Sequence, residues 1–179
     1  MRLTSRHLLW FALALPVLAG TSPGLSSPIK NFYQVDTGVY RGAQPTEDGI
    51  KYLAKIGVKT VLDLRAGDER SEAEEKLVAA AGMKYVNVPM SGRTPPTEAQ
   101  ISRVLAILEA GSGSVFVHCK RGADRTGVVI ASYRIDRDGW NNAQALSEAK
   151  ARGMAPTQLP RMGYIQAFQP RAAVASAAQ

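Results

Sequence analysis

His118-Cys119-Lys120-Arg121-Gly122-Ala123-Asp124-Arg125-Thr126-Gly127 places the only cysteine of the chain six positions before an arginine, with a glycine on either side of that arginine. Upstream, Ser114-Val115-Phe116-Val117 is short, apolar and β-branched, whereas Val128, Val129, Ala131, Ser132 and Ile135 downstream suit the buried face of a helix. The stretch therefore joins a strand end to a helix start. At such a junction several backbone N–H groups lack intrahelical partners and the helix dipole is positive, so a phosphate dianion can be cradled there. The same field favours a thiolate: a free cysteine titrates near ~8.5, and a helix N-terminus with nearby cations lowers that. Lys120, Arg121 and Arg125 are the cations at hand.

The stretch resembles the His-Cys-x5-Arg-Thr/Ser signature of the protein tyrosine and dual-specificity phosphatase superfamily, matched from His118 to Thr126. The resemblance implies that Cys119 attacks phosphorus and that the loop from Lys120 through Arg121, Gly122, Ala123 and Asp124 to Arg125 binds the phosphate. Arg125 would grip two oxygens in a planar fork. It further implies that Thr126 hydrogen-bonds the sulfur and that His118 orders the loop and keeps the cysteine ionised. Asn31-Phe32-Tyr33-Gln34-Val35-Asp36-Thr37-Gly38-Val39-Tyr40-Arg41-Gly42-Ala43-Gln44-Pro45, followed by Gly57-Val58-Lys59-Thr60-Val61-Leu62-Asp63-Leu64-Arg65, is similar to the opening of small atypical and bacterial dual-specificity phosphatases. Residues 30–170 are covered on this reading. Arg41 and Arg65 either touch substrate or, as expected of most such arginines, take part in surface or structural ion pairs.

The proton donor departs from the common pattern of that superfamily, which supplies an aspartate from a loop falling here at Val88–Pro96. That loop contains no carboxylate. The Asp-Arg-Thr ending is similar to that of myotubularin-like, Sac-type and secreted bacterial tyrosine/lipid phosphatases, which implies Asp124 as the donor. The alternative is an Asp124 that caps the following helix. Asp63, Asp68 and Glu98 are reserve acids. Lys120 and Arg121 raise the potential of the loop, so inositol phosphates or phosphoinositides are expected alongside phosphoproteins as substrates. One of these two cations could instead pair with a surface acid.

With 179 residues, 45% hydrophobic and 21% charged, the chain is expected to form a single soluble domain. Arg2, Arg6 and His7 precede an apolar run from Leu8 to Ala19 that is too short to span a bilayer comfortably and ends in Val17-x-Ala19. Residues 1–19 therefore read as a signal peptide, with export to the periplasm or medium, the alternative being an N-terminal membrane anchor. Residues 20–29 read as a linker. The formal charge of +7 falls by two when residues 1–19 are removed and stays basic, which suits an anionic partner. No nucleic-acid motif accompanies the charge. No metal or other cofactor is expected, because the thiolate and arginine replace its chemistry. Two rivals share a loop cysteine at a helix start: a non-catalytic phospholigand-binding module and a rhodanese-like sulfurtransferase.

Strands are expected at 38–41, 60–64, 84–88 and 114–118, and helices at 46–56, 69–81, 97–109, 142–152 and 162–168, besides the helix after the loop. Thr97 and Gln100 form a capping box, and Ile101, Val104, Leu105 and Leu108 share one face. Strands alternating with helices predict an α/β domain with a mostly parallel central sheet flanked by helices and the loop at a carboxyl strand end. Residues 171–179 are expected to form a disordered tail.

Overall fold

A computed structural model describes residues 27–171. The expected signal peptide, most of the linker and residues 172–179 lie outside the described residues. Among those described, no helix is long and apolar enough to cross a membrane. The elements run β1 (Tyr33–Gln34), β2 (Val39–Ala43), α1 (Glu47–Lys55), β3 (Val58–Asp63), α2 (Glu69–Ala80), β4 (Lys84–Asn87), α3 (Glu98–Glu109), β5 (Ser114–Cys119), α4 (Asp124–Arg137), α5 (Asn142–Ala151) and α6 (Leu159–Ala167).

The sheet order is β1-β2-β5-β3-β4, parallel except for the short antiparallel β1. β5 therefore returns to lie between β2 and β3, buried on both faces as its near-continuous apolar sequence requires. Its residues alternate with the period of two that a strand imposes. Val115, Val117 and Cys119 join the larger core with α3 to α6, whereas Phe116 joins the smaller core with Ile50, Leu53 and Val78 and stacks on His118. Cys119 and His118 thus face opposite sides of the sheet.

The capping box at Thr97 and Gln100 forms, and Ile101, Val104, Leu105 and Leu108 are all buried. Two residues at the margins of the expected linker and tail belong to the packed domain. Ile29, at the end of the expected linker, is a core residue, and Arg171, at the head of the expected tail, bonds Asp136 and Glu109. α6 begins at Leu159, three residues before the expected start, with Pro160 in its first turn, where the missing N–H is not needed. β1 was not expected: two residues carry too little periodicity to be seen in a sequence.

Candidate active site

β5 ends at Cys119 and α4 begins at Asp124, so residues 120–123 turn from strand to helix at the carboxyl edge of the sheet. Gly122 makes the turn at φ +67, and a Cβ built there would lie 2.3 Å from the backbone C and O of Gly42. No other residue fits that approach. Gly42 and Ala43 are in register with His118 and Cys119, which fixes the surface against which the loop lies.

The Cys119 thiol is buried, and burial pushes its pKa up, but hydrogen bonds from the Thr126 hydroxyl and backbone N–H, the Arg125 charge and the Arg121 N–H outweigh that. The net result is a thiol whose pKa lies below its ordinary value. The Thr126 hydroxyl is itself buried, and its proximity to the sulfur is one of the causes that lower the thiol pKa. α4 adds its positive end to the same point.

Arg125 sits over the site, with Nη1 in long contacts to Leu64 O at 3.3 Å and Met90 O at 3.4 Å. A cleft of about 120 Å³ opens beside it, lined by Gln44, Arg65, Ala66, Asp68, Arg70, Lys120 and Arg125. Four cations and one carboxylate line this cleft. Arg121 turns away and pairs with Asp124, the surface pairing that was the alternative for one of the loop cations.

His118 is enclosed on the α2 side, its Nε2 2.8 Å from Glu74 Oε1 and 3.8 Å from Asp63 Oδ1. Arg65 bonds both carboxylates at 2.7 Å, and Tyr85 donates to Asp63 at 2.7 Å. Arg65 is thus in a structural ion pair and also borders the cleft. The His118 ring nitrogens make no hydrogen bond to the loop among the described residues. Asp63, Glu74 and His118 bring ligand atoms within 4.8 Å of one another, yet the Arg65 guanidinium already pairs with both carboxylates, so a metal ion would compete with it.

The carboxylates proposed as proton donors are scattered. Asp124 is the first residue of α4 and not its cap: Ala123 holds the cap position without a side-chain bond. One Asp124 oxygen accepts from Ala155 N–H at 3.0 Å and the other from Arg121, so it braces the chain before α6 and does not line the cleft. Asp63 is fully buried; burial pushes it up, but Arg65, His118 and Tyr85 hold its carboxyl below the usual range. Glu98 opens α3 and is not part of the cleft lining. Asp68 alone lines the cleft, where it caps α2 and Arg70 holds its carboxyl low.

Two buried arginines were not foreseen in their actual roles. Arg41 is fully enclosed and donates to Gly122 O at 2.8 Å, with no ion pair among the described residues. Arg161, equally buried, donates to Ser91 O at 2.6 Å and bonds Gln158, tying α6 to the loop after β4. The alternation Val39, Arg41, Ala43 was the available signal for Arg41, since it sets an arginine on an inward face.

Residues 26–163 match the family model described as DSP-PTPase phosphatase fused to NAD+ kinase. The dual specificity protein phosphatase TpbA of Pseudomonas aeruginosa is 32% identical over 128 residues, covering 70% of this chain and 56% of that protein. The inositol diphosphatase DSP1 of Oryza sativa subsp. japonica is 31% identical over 116 residues, 62% of this chain and 52% of that one. The chain thus spans about half the length of these curated relatives. A crystal structure of a P. aeruginosa TpbA variant in complex with pTyr is 26% identical with a TM-score of 0.69, covering 83% of this chain and 91% of that one. The match of the family model across the sheet, the loop and α4 to α6 places the chain in the DSP-PTPase phosphatase family.

Proposed function

We propose that the chain hydrolyses phosphate esters and anhydrides with Cys119 as nucleophile. The Cys119 sulfur attacks phosphorus, forming the S–P bond as the P–O bond breaks, and the leaving oxygen takes the electron pair. Water then cleaves the phosphocysteine, releasing inorganic phosphate and restoring the thiolate. Arg125, freed from its long carbonyl contacts, holds two of the phosphoryl oxygens. The loop N–H groups and the end of α4 stabilise the charge on the phosphoryl group. The carrying observation is the depressed thiol of Cys119 at the end of β5, in the loop whose Lys120 and Arg125 line a cleft together with Arg65 and Arg70.

Substrate preference follows from the proton donor. Arg70 lowers the pKa of Asp68, the one carboxylate among the described lining residues of the cleft, which makes it a poor proton donor. Leaving groups that need little protonation are therefore favoured. A phosphate leaving group titrates near ~6, a phenol near ~10, and an alkyl alcohol near the ~15.7 of water. Phosphoanhydrides such as inositol diphosphates come first, then phosphotyrosine, with phosphoserine, phosphothreonine and simple inositol monophosphates last. The four cations around the cleft suit a densely charged substrate. The names of the relatives support both leading classes, inositol diphosphate and phosphotyrosine. Export of the protein, expected from residues 1–19, belongs to the same proposal.

The test is hydrolysis of an inositol diphosphate, a phosphotyrosine peptide and an inositol monophosphate by the full chain, with and without chelator. Activity in that order, surviving chelation and lost in Cys119→Ser, is the expected result. Absence of a trapped phosphocysteine with binding retained would turn the reading to a non-catalytic phospholigand module. Transfer of sulfur from thiosulfate to cyanide would turn it to a sulfurtransferase.

A further inference from the structure

Arg41 lies on the face of β2 that Val39 turns into the core, and its guanidinium is completely enclosed. Enclosing a charge without a counter-ion is costly, so the contacts it does make need an account. Its hydrogen bond among the described residues runs from Nη2 to Gly122 O at 2.8 Å, while Nε and Nη1 have no partner. Burial brings its pKa down to about 10, which still leaves it cationic at neutral pH; Glu148, Arg152, Cys119 and Arg134 are the charged groups around it.

The same carbonyl has a second donor. Asn31, in the left-handed region at φ +53, places Nδ2 2.9 Å from Gly122 O and 3.0 Å from Arg152 O. Two side chains from the segment before α1 thus converge on one peptide of the loop, and the Gly122 backbone is already pressed against Gly42. A trans peptide sends its C=O and its N–H in opposite directions. With Gly122 O drawn toward Arg41 and Asn31, the N–H of Ala123 points the other way. Were this peptide to turn over, a carbonyl dipole would face an incoming dianion in place of a donor.

We propose that Arg41 and Asn31 are positioning residues that hold the Gly122–Ala123 peptide with its carbonyl turned away from the anion, so that the Ala123 N–H is presented to the phosphate. The proposal rests on the reading of the loop as a phosphate cradle. It assigns the buried cation a task at the loop that neither residue performs by touching substrate.

The test uses the full chain and inorganic phosphate as the probe, with affinity read by calorimetry and folding by melting temperature. Asn31→Gly removes the amide while keeping a residue suited to φ +53, so the fold is retained. Its phosphate affinity should fall by about three- to tenfold, the scale of one lost hydrogen bond to a strongly polarised acceptor. Arg41→Met should lose tenfold or more, and Arg41→Lys, which keeps the charge but not the fork, should lie between them. The double variant should lose less than the product of the single losses, because both donors serve one carbonyl. A role in stability alone would lower the melting temperature and leave the phosphate affinity of the folded protein unchanged. Affinity within twofold of the parent in Asn31→Gly overturns the proposal, whether or not the Arg41 variants fold. A parent chain that binds phosphate without turnover would sink the phosphatase reading and leave this one standing, whereas a parent that binds no phosphate overturns both.

Discussion

Gly122→Ala perturbs the loop at the point where its backbone is least free. At φ +67 an alanine costs ~1–2 kcal/mol in steric strain. Its Cβ would also sit 2.3 Å from Gly42 C and O and 2.5 Å from Ala43 N. These are backbone atoms of a strand in register with β5, so they cannot swing aside as the end of a side chain would. Reaching ordinary van der Waals contact at ~3.5 Å requires the loop to move by about an ångström. A shift of that size at a catalytic loop costs on the order of 100-fold in rate. If the loop stays in place, overpacking adds ~1–3 kcal/mol to the strain. Gly82→Ala is the control: its φ of +74 imposes similar strain, but nothing lies within 4 Å of the added Cβ and the site is remote. The assay is kcat/KM on an aryl phosphate together with phosphate affinity and melting temperature. Gly82→Ala should melt several degrees lower with kcat/KM unchanged, whereas Gly122→Ala should lose about 100-fold in kcat/KM. Activity of Gly122→Ala within threefold of the parent would refute the argument that the contact with Gly42 sets the loop.

Thr126→Val removes the hydroxyl that lowers the Cys119 pKa. A depressed thiol is ionised above its folded pKa, so raising that pKa moves the acid limb of the pH–rate profile to higher pH; an unmoved limb would dissociate Thr126 from the sulfur. Arg125→Lys keeps charge but loses the fork and should slow turnover by at least ~100-fold, or about 2.7 kcal/mol, while a change of a few-fold would make Arg125 structural. Asp124→Asn should lower the melting temperature and slow aryl and alkyl phosphates alike, because the carboxylate braces Ala155 and Arg121. A loss confined to poor leaving groups would restore Asp124 as the proton donor. Expressed in a Gram-negative host, the protein should be recovered outside the cytoplasm with its N-terminus near Gly20, and intact Met1 on cytoplasmic protein would refute export.

What the sequence determined by itself is local. The run from Ser114 to Ile135 carries its own strand, turn and helix signals, because periodicity and glycine placement act over a few residues. The chemistry of Cys119, Arg125 and Thr126 is legible for the same reason: six to seven residues across a strand-to-helix turn bring them together whatever the rest of the chain does. The capping box at Thr97 is equally self-contained. The fate of the carboxylates is not local. Asp63, Asp68 and Asp124 are chemically alike in a sequence, and only the packing of α2 and the chain before α6 sends one into an ion pair, one to the rim of the cleft and one to Ala155. Arg41 and Asn31 meet Gly122 across separations of 81 and 91 residues, and Arg161 meets Ser91 across 70. Such contacts exist only once β5 has inserted between β2 and β3, so the sheet order decided which cations stand behind the loop and which face the cleft.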